Sequence, residues 1–325
     1  MGDFIVAIDI GGSKVLSAIL DRKGQVLTRC KEVTCAVGRP EEVIAQSVRM
    51  VAEMKCSLGL QDKDILGIGV GVPGPIDYQA GIVEESPNLQ WLRFPVREEL
   101  SKRLGTKVLL DKDTNVAALG EFYYGSNRNC RHLIYITVST GIGGGIISDG
   151  RLLHGLHGGA GELGHMVVAP GGRQCGCGRQ GCLEAVASGR ALAREAQTLI
   201  TRGGGQQILA AGRPGQPVSA REVAQAARQG DAQALALISS TAKYLGIGIA
   251  NLVHIFNPEK VVLGGGMAMG LQDLLLPAIK NEVMTNIFAL HRRQLEIEIT
   301  GLGEDIVLLG CAAMVLNDQC ADPKS

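Results

Sequence analysis

Three cysteines, Cys175, Cys177 and Cys182, fall close together in the chain, and His165 stands just upstream of them. Three thiolates and one imidazole are the donor set of a closed tetrahedral zinc site. Glycines at 176, 178 and 181 permit the tight loop that would converge the sulfurs. The alternative is a group of unligated thiols, which the spacing and the nearby histidine disfavour. A loop with so little apolar content would take its fold from the metal. Glu162 and Glu184 flank the cluster, and carboxylates fixed on a rigid loop suit a polyhydroxylated ligand.

Three other segments have phosphate or acid–base chemistry in reach. Asp9-Ile10-Gly11-Gly12-Ser13-Lys14 lies between two apolar runs, where glycines let a hairpin bend close to phosphate. Ser13 and Lys14 could bond phosphoryl oxygens, and Asp9 could hold Mg²⁺ through water. A plain hairpin turn explains this segment alone equally well. Ser139-Thr140-Gly141-Ile142-Gly143-Gly144-Gly145 repeats the arrangement later in the chain. A bare connection needs one or two glycines, so a second such turn is best read as the other half of a triphosphate grip. Asp111-Lys112-Asp113-Thr114-Asn115 ends a strand and opens a helix. A carboxylate there is either an N-cap or the base that takes a proton from a hydroxyl, with Asp113 preferred and Asp111 its competitor.

Two familiar nucleotide signatures are excluded. Gly69-Val70-Gly71-Val72-Pro73-Gly74 has the spacing of a dinucleotide fingerprint, but that pattern must open a helix and Pro73 and Pro75 forbid one. No Walker A sequence is present.

The elements that must position these groups follow from periodicity. Strands are expected at 4–8, 15–20 and 25–31, a helix over 40–58, buried strands at 65–72 and 107–110, and a helix at 114–124. The order restarts with a strand at 133–138, a glycine turn at 139–145 and a returning strand at 145–148. Helices follow at 188–200, 219–229 and 232–254, then a strand at 260–263, a glycine turn at Gly264, Gly265 and Gly266, a helix at 272–288, a strand at 295–300 and a helix at 305–316. Ser219 and Glu222 have capping-box spacing, and 203–217 reads as a loop. Two copies of one topology predict a duplicated α/β fold with a cleft between its halves. The expected division is 1–115 and 116–304, with the closing helix of about 305–318 packed back on the first half and the metal loop at 165–184.

Composition bounds the rest. The 325 residues are too many for one core, and 32 basic side chains balance 32 acidic ones. That balance argues against binding nucleic acid or a membrane surface through bulk charge. The first residues have no basic, signal-like region, and the longest apolar stretch, 244–256, is too short to span a bilayer. A cytoplasmic protein is expected. Nine cysteines, an odd number, argue against a disulfide framework. Cys30, Cys35, Cys56, Cys130, Cys311 and Cys320 read as ordinary thiols.

Taken together, the two glycine turns, the Asp111–Asn115 segment and Gly164-His165…Cys175-Gly-Cys177-Gly-Arg-Gln-Gly-Cys182-Leu-Glu184 resemble the ROK family, from Ala7 to about Leu316. The resemblance implies the duplicated actin-like (ribonuclease H-like) ATPase fold and ATP-dependent phosphorylation of a hexose, with Mg²⁺ and a structural zinc. Glucose comes first among substrates, and fructose, N-acetylmannosamine, N-acetylglucosamine or allose are alternatives. It implies ATP phosphates at Gly11, Gly12, Ser13, Lys14, Thr140 and Gly141, adenosine near Gly264–Gly266, and Asp113 as catalytic base. Sugar contacts carry over to Asn88, Asp113, Glu162, His165 and Glu184, and a homodimer is implied. Lys112 replaces the family's sugar-binding asparagine. A lysine there would favour ionised Asp113 and lower its basicity, and it donates to a hydroxyl without accepting from one. A sugar-sensing repressor would need a helix-turn-helix ahead of the first hairpin, for which the sequence leaves no room. An assembly ATPase on the same fold would have no use for a metal loop flanked by Glu162 and Glu184.

Overall fold

The computed structural model describes residues 2–126 and 130–321. The Cys320 side chain lies outside the described part. In the first lobe β1 (Phe4–Ile10), β2 (Lys14–Asp21) and β3 (Val26–Val33) form an antiparallel meander. Helix α1 (Pro40–Leu58) follows, opening on a proline in its first turn and stopping at left-handed Gly59. Next come β4 (Ile65–Val72), the short strands β5 (Ile76–Asp77), β6 (Ile82–Ser86) and β7 (Trp91–Phe94), helix α2 (Val96–Leu104) and β8 (Val108–Lys112). The main sheet runs β3-β2-β1-β4-β8, and β5-β6-β7 form a small sheet of their own.

Helix α3 (Asp113–Tyr124) leads to the second lobe: β9 (Leu133–Val138), β10 (Ile142–Ser148), β11 (Arg151–Leu152), then α4 (Leu183–Ala187), α5 (Gly189–Thr201), α6 (Gln206–Ala211), α7 (Ala220–Arg228) and α8 (Ala232–Phe256). Strand β12 (Lys260–Gly264), α9 (Gly266–Gly270), α10 (Gln272–Asn286), α11 (Ala289–Arg292), β13 (Glu296–Ile299) and α12 (Ile306–Ala321) close the chain. Its sheet runs β11-β10-β9-β12-β13, with the first three strands antiparallel and the last two added in parallel. The duplication expected from the sequence is therefore present strand for strand.

Both faces of each sheet are covered, which is why the central strands read as unbroken apolar runs. Val6, Ile8 and Ile10 of β1 face a core shared with α1 and α2, while Ile5 and Ala7 face α12. Ile134, Ile136 and Val138 of β9 face α5, α7, α8 and α10, while Leu133 and Tyr135 face α3. Helix α8 is long and apolar enough to cross a membrane, but most of it lies inside the second lobe's core.

The two closing helices are exchanged between lobes. Helix α3 leaves the first sheet and packs on β9 and β10; α12 leaves the second sheet and packs on β1 and β4. The sequence pays for close contact with glycine. On β4, Gly67, Gly69 and Gly71 lie under Val315, Cys311 and Val307, one α12 residue per turn. On β10, Gly143 and Gly145 lie under Thr114 and Ala118 of α3, and Gly144 under Leu163.

This corrects the reading of 139–145 as one glycine turn. The strand begins at Ile142, so Gly143–Gly145 are sheet residues whose glycine serves helix packing. The 203–217 loop also contains a helix, α6, drawn in because Ile208 is buried in the second core. Helix α2 and the small sheet were not expected; no strong periodicity marks them.

Where α3 and α12 cross, a Cβ on Gly310 would fall 1.8 Å from the Val116 carbonyl oxygen, and one on Gly120 would fall 2.2 Å from that of Ile306. Backbone cannot yield there as a side chain would. Gly310→Ala should destabilise the protein by about 3 kcal/mol or more, through overpacking. Gly301→Ala, which meets nothing within 4 Å, is the control. Urea unfolding of both variants decides it, and similar small losses would show that the crossing is looser than described.

Candidate active site between the lobes

The two hairpin turns come to the cleft from opposite sheets. In the first, Asp9 is the last residue but one of β1, Gly11–Ser13 turn, and Lys14 opens β2. Thr34 Oγ1 donates to the Gly11 carbonyl at 2.6 Å and fixes the bend. Asn88, from the loop beyond β6, lies so near that a Cβ on Gly12 would fall 2.6 Å from its carbonyl oxygen. Lys14 Nζ sits 3.5 Å from Glu304, in an ion pair that Lys31 shares at 2.8 Å.

In the second turn, the first N–H groups of α5, Gly189 and Arg190, donate to the Ser139 and Thr140 carbonyls. Glu184 Oε2 accepts the Ile142 N–H at 2.9 Å and closes over Gly141. Thus Glu184 is first of all a clamp on the glycine turn. Gly264–Gly266 end β12 beside this turn: left-handed Gly265 leaves no room for a Cβ against Thr137 Oγ1 and the Val138 carbonyl.

Asp113 stands at the start of α3, between the turns. Its carboxylate accepts the Thr114 N–H at 2.7 Å. Burial holds its carboxyl above the usual range; the Thr114 N–H and then Lys112 oppose that, and Glu162 adds to it. The lowered basicity expected from Lys112 is therefore reversed, because desolvation outweighs the neighbouring cation. Thr114 Oγ1 and Asn115 Oδ1 beside it are buried without a protein partner, as happens where water or ligand completes a site.

Lys112 does not lie open to a ligand. Its side chain is only 7% exposed, and Nζ donates to Glu162 Oε1 at 2.9 Å and to the Ala160 carbonyl at 3.2 Å. Asp111, the competing base, is buried and fully engaged: it accepts from the Lys112 N–H, from Asn115 Nδ2 and from His154 Nε2. Sequence reasoning missed His154. The one local sign of it is a histidine inside the glycine-rich run leading to Glu162.

Glu162 and His165 line a cavity of about 310 Å³ with Met166, Cys177 and Arg179. Behind it the ligand atoms of His165, Cys175, Cys177 and Cys182 all lie within 4.8 Å of one another. His165 Nδ1 is 3.6 Å from Cys175 Sγ, and the Cys177 and Cys182 sulfurs are 3.7 Å apart. Burial pushes the Cys182 thiol up to about 12, whereas the Arg179 N–H pulls exposed Cys177 down.

Asp9 also carries an electrostatic cost. Burial first, and then the charge of Asp113, push its carboxyl up to about 7 against the pull of Lys14. A folded-state value above the unfolded one means that the folded chain keeps its proton longer. Stability from this group is present below about pH 4 and is lost as pH rises toward 7. Asp9→Asn should therefore gain stability relative to the parent across that window and hold a constant advantage above it. Urea midpoints of both proteins at about pH 4, 6 and 8, without divalent cations, measure this. A pH-independent offset would contradict it.

Residues 5–318 match the ROK family. A glucokinase of Halalkalibacterium halodurans is 35% identical over 94% of this chain and 92% of its own length. A putative xylose repressor of Caldicellulosiruptor is also 35% identical, over 98% of this chain and 79% of its own. The crystal structure of a ROK glucokinase from Streptomyces griseus with glucose and AMPPNP superposes with a TM-score of 0.81 at 30% identity, covering 97% of this chain and 99% of that one. With the duplicated sheets and the cleft between them, this match over nearly the whole length makes the chain a member of the ROK family.

Proposed function

We propose that the protein is an ATP-dependent hexose kinase, glucose being its first substrate, with Asp113 as general base. One observation carries this reading: a carboxylate made more basic by burial opens α3 within reach of the charges of Asp9, at the first glycine turn, and of Glu162, at the cavity. Phosphoryl transfer asks for little else beyond positioning and charge neutralisation. A sugar hydroxyl oriented by Asn88, Glu162, His165 and Glu184 gives its proton to Asp113. Its oxygen bonds to the γ-phosphorus as the bond to the β-phosphate oxygen breaks, releasing ADP.

Gly12, Ser13, Thr140 and Gly141 offer backbone and hydroxyl donors to the phosphates, Gly11 shapes the first turn by donating its N–H to the Lys14 carbonyl, and Gly264–Gly266 would lie near the adenosine. Lys14 joins them by leaving Glu304; both side chains are well exposed, at 36% and 56%, so that pair is weak. Mg²⁺ near Asp9 would neutralise the triphosphate, and it would also relieve the repulsion between Asp9 and Asp113.

The four-residue cluster fits zinc. Ligand distances of about 2.3 Å for sulfur and about 2.0 Å for nitrogen give tetrahedral edges of about 3.8 and 3.5 Å. The observed 3.7 and 3.6 Å agree. Such an ion would fix the loop, and with it His165 and Glu184. The lobes that move on this reading are 1–115 with 305–318, and 116–304. The enzyme is proposed as a cytoplasmic homodimer with no nucleic-acid or membrane partner.

Coupled ADP release across hexoses tests the activity. Asp113→Asn should lower kcat by about 10²–10⁴-fold while glucose still binds; normal turnover in that variant would end the proposal. His165→Ala should lose both zinc and glucose affinity. Cys175→Ala should lose zinc first and sugar only as a consequence. Metal analysis beside glucose titration separates the two, and full glucose affinity in His165→Ala would remove it from the sugar site. The likeness to a xylose repressor keeps a sugar-sensing regulator as the second reading. Salt-sensitive binding to a specific duplex, without ADP release, would favour it.

A further inference from the structure

The end of β8 reaches across the cleft twice. Asp111 and Lys112 belong to the first lobe, and both hold one segment of the second, the strap from Leu153 to Glu162. Its start is anchored to the second sheet by the Leu153 N–H donating to the Ile146 carbonyl at 2.8 Å. It then crosses to the first lobe. The His154 ring stacks on Tyr78 with centroids 4.0 Å apart and planes 15° from parallel, while Nε2 donates to Asp111 Oδ2 at 2.6 Å. Gly158 passes so close to β5 that a Cβ would fall 2.3 Å from the Ile76 carbonyl oxygen. The Ala160 N–H donates back to the His154 carbonyl at 3.0 Å. Left-handed Gly161 turns the strap against Gly144 of β10, and Glu162 follows, bonded to Lys112.

Asp111 is the pivot of this arrangement. Its Oδ2 is taken by His154, and its Oδ1 accepts the Lys112 N–H at 2.7 Å and Asn115 Nδ2 at 2.9 Å. Those two donors bracket Asp113 in the chain. Whatever orients the Asp111 carboxylate therefore orients the backbone on which Asp113 stands. The group that orients it comes from the other lobe.

We propose that His154 is a positioning residue for Asp113: through Asp111 it fixes the base-bearing turn to the strap that carries Glu162. Lys112 makes the second tie, to Glu162 itself, and so takes a structural place where a sugar ligand was expected. The two carboxylates, one proposed to take the proton and one proposed to hold the sugar, are thereby set in register across the cleft before sugar arrives. This rests on Asp113 being the base.

The test uses the whole protein with His154→Ala and His154→Gln. A misplacement of about 1 Å at a reacting group costs up to about 100-fold in rate. His154→Ala should lower kcat about tenfold or more, with the KM for ATP unchanged within about twofold. His154→Gln, which keeps an N–H donor, should recover most of the loss. Amide hydrogen exchange across 108–116 should quicken in His154→Ala while the melting temperature of the whole protein holds. Unchanged kcat in His154→Ala, or equal impairment of the two variants with no change in exchange, would overturn the proposal. If the parent protein phosphorylates no sugar, the kinase reading fails separately, and the exchange across 108–116 still decides whether His154 holds the turn.

Discussion

The crossing of α3 over α12 sets the separation of the two lobes, because at that point backbone meets backbone. Gly310 packs against the Val116 carbonyl and Gly120 against that of Ile306, and neither contact leaves room for a methyl group. Each helix starts at the strand end of one lobe and spends its length on the sheet of the other. Asp113 is the first residue of α3, so the candidate base stands at the start of the helix that makes this crossing. The glycines of β4 and β10 extend the same constraint, since they let α12 and α3 lie low on their adopted sheets.

Beside that crossing the cleft is lined with charge that the fold does not fully neutralise. Burial raises the cost of ionising Asp9 and Asp113 alike; the Asp113 charge adds to it at Asp9, and the Glu162 charge adds to it at Asp113. Natural cores avoid such pairs unless something outside the chain compensates them. The cations nearby are otherwise occupied: Lys14 is drawn toward Glu304, and Lys112 is held by Glu162. The site is thus acidic at its centre and has its cationic partners at the margin. That arrangement suits a ligand that arrives with a metal ion and leaves its own negative charge to the glycine turns.

What the sequence disclosed and what it hid differ by range. The hairpin strands, the capping box at Ser219 and the convergence of His165 with Cys175, Cys177 and Cys182 are written within a few residues, and each was legible from spacing. Gly143–Gly145 were read as a phosphate turn because glycine was visible but its reason was not. That reason is Thr114 and Ala118, on a helix that precedes the strand and touches it only in the fold. His154 escaped for the same cause: its partner Asp111 lies 43 residues away. Lys112 was noticed but assigned to the sugar, since nothing local says that its ammonium turns toward the strap. Lys112 does pull the Asp113 carboxyl down as expected, but the net shift is upward because a neighbouring charge can be read from sequence, whereas burial cannot.

The metal loop joins these two levels. Among the described residues its own core is Cys175, Cys182 and Ala185, too little apolar surface to order it. Three sulfurs in one place resist becoming thiolates together, and burial adds to that resistance at Cys175 and Cys182. A divalent ion would resolve that conflict by taking all three as thiolates, and ordering the loop and binding the ion would then be one event. The loop's two ends lie together against β10, where Gly164 packs on the Ile142 carbonyl and on Glu184. His165 lines the cavity beside Glu162, and Glu184, two residues beyond Cys182, clamps the Ile142 N–H of the second glycine turn. On the proposed reading a single ion therefore sets sugar and phosphate contacts together, and its loss should be felt at both.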